Sequence, residues 1–280
     1  MKPRKSLCLV ILCICQSIQS AASADLVIVQ EHIRMELESR VLGERRVINV
    51  FVPREVSQNP GARVPTLYMP DGGIEEDFIH VSNTIQQAVG AGEAAPLILV
   101  GIQNTERRRD MTGPTMVASD RAIAPRVGGS APFRSFIREE LIPEIERRFP
   151  VNNRRGVIGE SLAGLFIVET LVEEPDLFST YIALSPSLWW NNASLVEGLA
   201  LARCGNRPAR VFLAAADEEN IAPHVAAVAD ACNGDRSGRW TILIRPDLDH
   251  STIYRALAPQ VIRSMYPKSV IDGYEQQPAH

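Results

Sequence analysis

The feature that most constrains the fold of this chain is a series of short, continuous apolar runs that are separated by amphipathic segments. A run with no polar alternation is typical of a strand covered on both faces of a sheet. These runs read TLYM, LILVGI, GVIG, YIALS, RVFLAAA and TILIRP. The segments between them carry apolar residues at helical spacing, namely 131–149, LAGLFIVETLVEE, IAPHVAAVADAC and YRALAPQVIRSMY. The alternation predicts one α/β domain, a doubly wound, mostly parallel sheet with helices on both faces.

Other segments complete this organisation. Two earlier runs, LVIVQ and RVINVFV, predict an antiparallel pair of strands, and Pro143 is expected to kink or divide the helix over 131–149. The segment 104–129 has no periodicity and is long for a loop, which indicates that it borders a functional site. The predicted domain covers 25–273, and we expect the tail 274–280 to be disordered.

The first 24 residues have the layout of a secretory signal peptide. A basic start, MKPRKS, precedes the apolar run LCLVILCIC, and SAASAD places small residues before Asp25. The apolar run is too short to span a bilayer, so cleavage after Ala24 is favoured over an uncleaved membrane anchor. Cys13 and Cys15 do not follow the small residue that a lipoprotein signal needs. The mature protein is therefore expected to be periplasmic or secreted, without a stable membrane anchor.

Cleavage changes the charge and the cysteine content. It removes three of the 29 basic residues and none of the 33 acidic ones, so the net charge falls from −4 to −7, which argues against nucleic acid as a partner. It leaves Cys204 and Cys232, a candidate disulfide in an oxidising compartment. No metal-ligand cluster and no phosphate-binding glycine loop occurs in the sequence, so no metal or cofactor is expected.

A candidate nucleophile lies in the stretch GVIGESLAG, residues 156–164. Small residues around Ser161 permit a sharp turn between a strand and a helix that exposes the hydroxyl, and the amide of Leu162 would then point to an oxyanion. The stretch gives G-E-S-L-A where the usual pattern is G-x-S-x-G. The alternative is an ordinary turn in which Ser161 caps the helix.

A nucleophilic serine needs a base, and the base needs an acid that orients it. His250 follows the last strand in a polar loop and is the predicted base, because His224 lies within a helix and His280 is terminal. The acid should follow the strand RVFLAAA. The spacing from Ala216 favours Glu219, with Asp217 as runner-up and Asp249 as a third candidate.

Several further residues are candidates for the same site. Gly72 and Gly73, in PDGG, would supply a second oxyanion donor, or they form a simple turn. Arg107 and Arg109 either pair with Asp110 and fix the long loop or form an anion-binding rim for the substrate. Trp189 and Trp190 either pack under the loop or form an aromatic wall for the substrate.

The stretches LYMPDGG, GIQNTERRRDMTGP, FIREELIPEIERRF, GESLAGLF, EPDLFSTYIALSPSLWW and DHSTIY carry a resemblance. From about residue 64 to about 266, the chain resembles the putative-esterase family of α/β-hydrolases, and within it the branch of enterochelin and salmochelin siderophore esterases. Feruloyl esterases and S-formylglutathione hydrolase are also related. The resemblance implies an α/β-hydrolase fold, Ser161 as nucleophile, His250 as base and Glu219 as acid. Glu160 and Ala163 depart from the G-H-S-x-G-G pattern of this branch, and Glu160 is expected to alter pH dependence or substrate charge preference.

The sequence thus predicts an exported serine esterase that hydrolyses a small-molecule carboxylic ester, of siderophore type or aromatic, through an acyl-enzyme on Ser161. An acyltransferase that uses the same residues, and a non-catalytic binding protein on the same fold, are the alternatives.

Overall fold

The computed structural model describes residues 32–59, 61–201, 209–233 and 236–268. The predicted signal peptide, Cys204, the tail 274–280 and both ends of the predicted domain lie outside the described residues. Eight strands form one sheet within the described part of the chain: β1 Ile33–Ser39, β2 Glu44–Phe51, β3 Val64–Pro70, β4 Ile98–Ile102, β5 Val151–Glu160, β6 Thr180–Leu184, β7 Arg210–Ala216 and β8 Trp240–Arg245.

The strands lie in the order β1-β2-β4-β3-β5-β6-β7-β8. β1 pairs antiparallel with β2, and β2 pairs antiparallel with β4. Every pair from β4 to β8 is parallel. Parallel strands place their carboxyl ends at one edge, so the residues that follow β3, β5, β7 and β8 share that edge.

Ten helices cover the sheet in the described residues: α1 Arg54–Ser57, α2 Phe78–Gly90, α3 Arg107–Asp110, α4 Ala118–Arg121, α5 Ser130–Phe136, α6 Ile142–Arg148, α7 Leu162–Glu173, α8 Trp190–Leu201, α9 Ala222–Ala231 and α10 Ile253–Met265. A π-helical turn, Ile137–Leu141, joins α5 to α6. None of these helices is both long and apolar enough to cross a membrane.

Two apolar cores lie on opposite faces of the sheet. Val157 packs with α5 to α7 and α9 on one face, and Ile158 packs with α2 and α10 on the other. Because side chains alternate along a strand, one continuous apolar run supplies both cores. The mostly parallel sheet with helices on both faces confirms the fold class that the apolar runs predict.

The elements differ from the prediction in two respects and confirm it in a third. LVIVQ lies outside the described residues, and the antiparallel partner of β2 is instead β1, whose burial alternates. The helices α1, α2 and α8 were not predicted from the sequence, nor were α3 and α4 within the segment 104–129. The predicted helix over 131–149 is divided, as expected, into α5, the π-helical turn and α6, and Pro143 lies in the first turn of α6. Its missing N–H therefore falls where the regular helical bonding pattern is already interrupted.

The turn after β3 approaches β4 closely. A Cβ atom on Gly72 would lie 2.3 Å from Gly101 Cα, and one on Gly101 would lie 2.5 Å from the Gly72 carbonyl oxygen. Both positions therefore exclude any side chain. The preceding residue, Asp71, has a φ of 58° and lies in the left-handed region.

Candidate active site

Ser161 occupies a sharp turn between β5 and α7. Its φ is 59° and its ψ is −119°, a strained conformation for a residue with a side chain. The turn is anchored because Ser161 N–H donates to the Leu184 carbonyl at 3.0 Å. Ser161 makes no side-chain hydrogen bond that caps α7, so its hydroxyl is not used as a helix cap.

Small neighbours make this turn possible. A Cβ atom on Gly159 would lie 2.6 Å from Ala163 Cβ, and one on Gly164 would lie 3.0 Å from Pro186 Cα. Ala163, which replaces the usual glycine, is fully buried within the turn. The departure G-E-S-L-A is therefore compatible with the sharp turn because its extra methyl group is accommodated.

His250 lies in the loop between β8 and α10, and its Nδ1 contacts Glu218 Oε1. The carboxylate that reaches the ring is thus Glu218, and the prediction of Glu219, with Asp217 as runner-up, is wrong on this point. The chain turns tightly after β7, with Glu218 N–H donating to Ala216 O at 3.0 Å. This turn directs Glu218 back to the sheet, while Asp217 and Glu219 are exposed.

The other Glu218 oxygen is held by the ends of β6 and β7. Oε2 accepts a hydrogen bond from the Ser185 hydroxyl at 2.8 Å and another from the Ala216 N–H at 3.0 Å. Asp249, the third candidate acid, instead accepts bonds from Ser251 and Thr252 before α10. His224 lies within α9, as the sequence predicts.

A second hydroxyl lies beside Ser161. Ser187 Oγ is 3.5 Å from Ser161 Oγ, and Ser187 N–H donates to the Ser161 carbonyl at 3.0 Å. Ser185 and Ser187 belong to SPSLWW, and their positions near the candidate site were not anticipated. The signal that could have found them is the position of SPS at the end of β6, next to the turn after β5.

The candidate oxyanion donors differ in their availability. Leu162 is the first residue of α7, where backbone N–H groups have no partner within the helix. Gly72 N–H donates to Ile102 O at 3.0 Å, so the prediction of Gly72 as a donor is not supported by its hydrogen bonding. Gly73 N–H donates to Glu76 Oε2 at 2.6 Å, so an oxyanion would have to replace that carboxylate.

The two predicted substrate-binding arginines are both engaged in ion pairs. Arg107 binds Asp71 through two hydrogen bonds, of 2.7 and 2.8 Å. Arg109 binds Asp110 and Glu44, which matches the reading that it fixes the long loop. Both arginines border a surface cavity of about 430 Å³ that Arg108 and Arg126 also line.

The two tryptophans have different environments. Trp190 is buried, and its Nε1 donates to the Gly113 carbonyl at 3.0 Å, so it packs under the loop and does not form a substrate wall. Trp189 is half-buried, and its ring centroid lies 6.0 Å from that of Trp190. Trp189 alone of the pair keeps surface that a substrate could contact.

Glu160, next to the candidate nucleophile, is an unusual carboxyl group. Its Oε1 is buried and has no hydrogen-bond partner among the described residues. Burial raises the pKa of Glu160 to about 8, and the negative charges of Asp77, Glu218 and Asp71 add to this effect. Half-buried His80 has its pKa lowered to about 4, also by desolvation. In the described residues, no group of three or more His, Cys, Asp and Glu side chains could hold a metal ion.

Cys232 is disulfide-bonded. Because Cys204 lies outside the described residues, the pairing of Cys204 with Cys232 remains a prediction.

A family model described as "Putative esterase" matches residues 39–238. The chain belongs to this esterase family. The matched range contains Ser161 and Glu218 and ends before His250.

Curated relatives share this family character. The chain is 32% identical over 197 residues to the ferri-bacillibactin esterase BesA of Bacillus subtilis, covering 63% of this chain and 67% of BesA. It is 30% identical over 170 residues to a siderophore triacetylfusarinine C esterase of Aspergillus fumigatus, covering 55% of this chain and 56% of the relative. The matched parts thus span about half to two thirds of these relatives. Because both relatives are named as siderophore esterases, the similarity places the chain near the siderophore esterase branch of the family.

Solved structures agree on the fold. An IroE-like serine hydrolase from Shewanella oneidensis has a TM-score of 0.75 at 27% identity, over 88% of this chain and 86% of that one. The siderophore hydrolase EstB from Aspergillus nidulans has a TM-score of 0.69 at 21% identity, over 84% and 94% of the two chains. The esterase family member described here therefore has an α/β-hydrolase fold.

Proposed function

We propose that this chain is a serine hydrolase of carboxylic esters in which Ser161, His250 and Glu218 act together. The observation that carries the proposal is the convergence of a strained Ser161 turn and a Glu218–His250 pair at one edge of the sheet. The three groups follow in the chain order serine, acid, histidine that is typical of α/β-hydrolases. A binding protein would not need a strained serine and a histidine–carboxylate pair at the same edge of the sheet.

In the proposed reaction, the Ser161 hydroxyl turns from Ser187 to His250, which accepts its proton as the oxygen attacks the ester carbonyl. Glu218 orients the imidazole and stabilises its cationic form. The Leu162 amide stabilises the oxyanion, and Gly73 contributes when Glu76 releases its amide. The protonated His250 then gives its proton to the leaving alkoxide, and water resolves the acyl-enzyme in the same way.

The proposed substrate is a small-molecule ester of the siderophore type. Support comes from the relatives that are named as esterases of ferri-bacillibactin and of triacetylfusarinine C. Trp189 would provide an apolar contact for the substrate near Ser161. We also propose that residues 1–24 direct export, because they have the layout of a signal peptide.

The decisive experiment replaces the nucleophile. Ser161→Ala should lower ester hydrolysis on the order of 10⁴-fold or more, because the reaction loses its covalent step. A fluorophosphonate probe should label Ser161 in the wild type and should not label the variant, while the circular dichroism spectrum stays unchanged. Ser187→Ala is the matched control, since it removes the neighbouring hydroxyl and should keep labelling at residue 161. Near-normal turnover by folded Ser161→Ala would refute the proposal.

The same assay separates hydrolysis from acyl transfer. Adding an acceptor alcohol to the wild type should leave the free acid as the main product. A dominant new ester would instead identify an acyltransferase.

A further inference from the structure

Glu160 lies at a distinctive position in the candidate site. It is the last residue of β5 and directly precedes Ser161. Side chains alternate along a strand, so Glu160 shares the sheet face of Ile158, which packs with α2 and α10. The opposite face is occupied by α7, where a Cβ on Gly159 would meet Ala163 and Ile167. Glu160 therefore adds a carboxyl group next to the nucleophile, on the side opposite to α7.

The groups around Glu160 come from every element packed near it. Asp71 follows β3, Asp77 precedes α2, Arg107 belongs to α3 and Glu218 follows β7, and all four act electrostatically on Glu160. From α10, the hydroxyl of Tyr254 is buried without a partner in the described residues and experiences the charges of Asp77, Glu160 and Asp71. The ring of His80 contacts that of Tyr254 edge-on, and the positive charge of Arg255 acts electrostatically on Asp77.

The surroundings do not neutralise a charge on Glu160. Arg107 is the cation among the groups that act on it, and the edge of its guanidinium formed by Nε and Nη2 is already bound to Asp71. The Glu218 carboxylate faces His250 and the hydroxyl of Ser185. A neutral carboxyl is therefore the favoured form, and burial raises the pKa of Glu160 to about 8.

We propose that Glu160 is a specificity-determining residue whose ionised carboxylate selects esters by charge, favouring neutral or cationic acyl groups over anionic ones. This inference rests on the proposed function, because it takes the acyl group to lie beside Ser161. A carboxylate adjacent to that position attracts a cationic group and repels an anionic one. The selection should strengthen when Glu160 loses its proton, so the carboxyl acts as a charge filter whose strength depends on pH.

The test compares three 4-nitrophenyl esters of one chain length, whose acyl chains end in a methyl, a carboxylate or a trimethylammonium group. The measured quantity is the ratio of kcat/KM for the cationic ester to that for the anionic ester, from about pH 6.5 to about pH 9.5. The ratio cancels titrations that affect the chemistry of both esters alike. It should rise about tenfold in the wild type and stay flat in Glu160→Gln. The matched control Glu219→Gln, which removes an exposed carboxylate near the site, should follow the wild type.

A second readout does not depend on turnover. The folded-state pKa of Glu160, about 8, lies above the ordinary value of 4.5. Its contribution to stability is therefore fully present below the ordinary value and is lost as pH rises through about 8. The urea midpoint of the wild type should fall relative to that of Glu160→Gln over this range.

The outcomes separate the inference from the proposed function. A flat ratio in the wild type, or an equal rise in Glu160→Gln, would overturn the charge filter while hydrolysis of the neutral ester still supports a serine esterase. If the wild type hydrolyses none of the three esters, the proposed function fails, and the inference fails with it.

Discussion

At the scale of single residues, the two oxygens of Glu218 have different partners. Oε1 contacts His250 Nδ1, and Oε2 is held by Ser185 Oγ and the Ala216 N–H. A carboxylate fixed at one oxygen presents the other in a defined direction, which sets the orientation of the imidazole. Ser185 is thus a positioning residue for the histidine–carboxylate pair.

This arrangement predicts different effects for adjacent glutamates. Glu218→Gln should lower kcat about 10³-fold, because an amide cannot stabilise the charged imidazole. Glu219→Gln should leave kcat within about threefold, since Glu219 is exposed and away from the ring. Steady-state kinetics with a neutral ester would test both. If Glu218→Gln were as active as the wild type, Ser161 and His250 would work without an acid.

The sequence placed the carboxylate that contacts His250 to within one residue of its position. Residues 217–219 are all acidic and all follow β7, so strand order alone restricts the acid to this short stretch. The choice among them depends on the hydrogen bond from Glu218 N–H to Ala216 O, which a residue pattern does not specify. The candidate nucleophile Ser161 and the candidate base His250 could be named directly from the sequence, because a sharp turn needs small neighbours and few histidines follow it.

At the scale of elements, a buried charge network ties the long loop to the sheet. Arg46 in β2 and Asp110 in α3 are each 1% exposed and form an ion pair of 2.7 Å. The Arg46 guanidinium also lies 5.1 Å from the ring centroid of Phe133, and Arg109 joins the network through Asp110 and Glu44. Because these charged groups share partners, replacing one of them removes ion pairs from the others.

Breaking this network should cost much more than breaking an exposed pair. Asp110→Asn should lower the free energy of unfolding by about 3 kcal/mol or more, because it removes the buried carboxylate that pairs with both Arg46 and Arg109 and leaves Arg46 to the more exposed Glu44. Arg45→Ala is the matched control, since Arg45 is adjacent in β2 and pairs with Glu38 at the surface, so its loss should change stability little. Urea denaturation measures both, and equal midpoints for the two variants would contradict a structural role of Asp110.

The strands were more predictable than the loop. Short continuous apolar runs that are bounded by turn residues indicate strands covered on both faces of a sheet. The segment 104–129 gave no periodic signal, because Arg107, Arg109 and Asp110 are held by ion pairs with distant residues and not by a pattern within the loop. The helix α2 was missed for another reason. Its buried face includes Ser82 and Thr84, which weaken the apolar periodicity.

At the scale of the whole molecule, the candidate site and the candidate disulfide occupy different regions. The site lies at the carboxyl ends of β3, β5, β7 and β8, whereas Cys232 follows α9, which packs on β7 and β8. A crosslink at this position should support the strand that carries Glu218 without contacting the chemistry. We therefore expect it to affect stability more than catalysis.

The prediction concerns Cys204 and Cys232 in the mature protein. The oxidised protein should show no free thiol under denaturing conditions without reductant. Reduction should lower its melting temperature, because a bond between cysteines 28 positions apart contributes roughly 3 kcal/mol by loop entropy. The kcat of the reduced protein, measured well below that temperature, should stay near that of the oxidised protein. Two reactive thiols in the untreated protein would disprove the pairing.

The contact between Gly72 and Gly101 has an evolutionary consequence. Each glycine lies where the backbone of the other leaves no room for a side chain, and the two belong to separate stretches of the chain. Neither position can drift alone, since a methyl group at one would collide with the main chain at the other. The two glycines should therefore be retained together during evolution, and either could be replaced only if the turn after β3 moved away from β4.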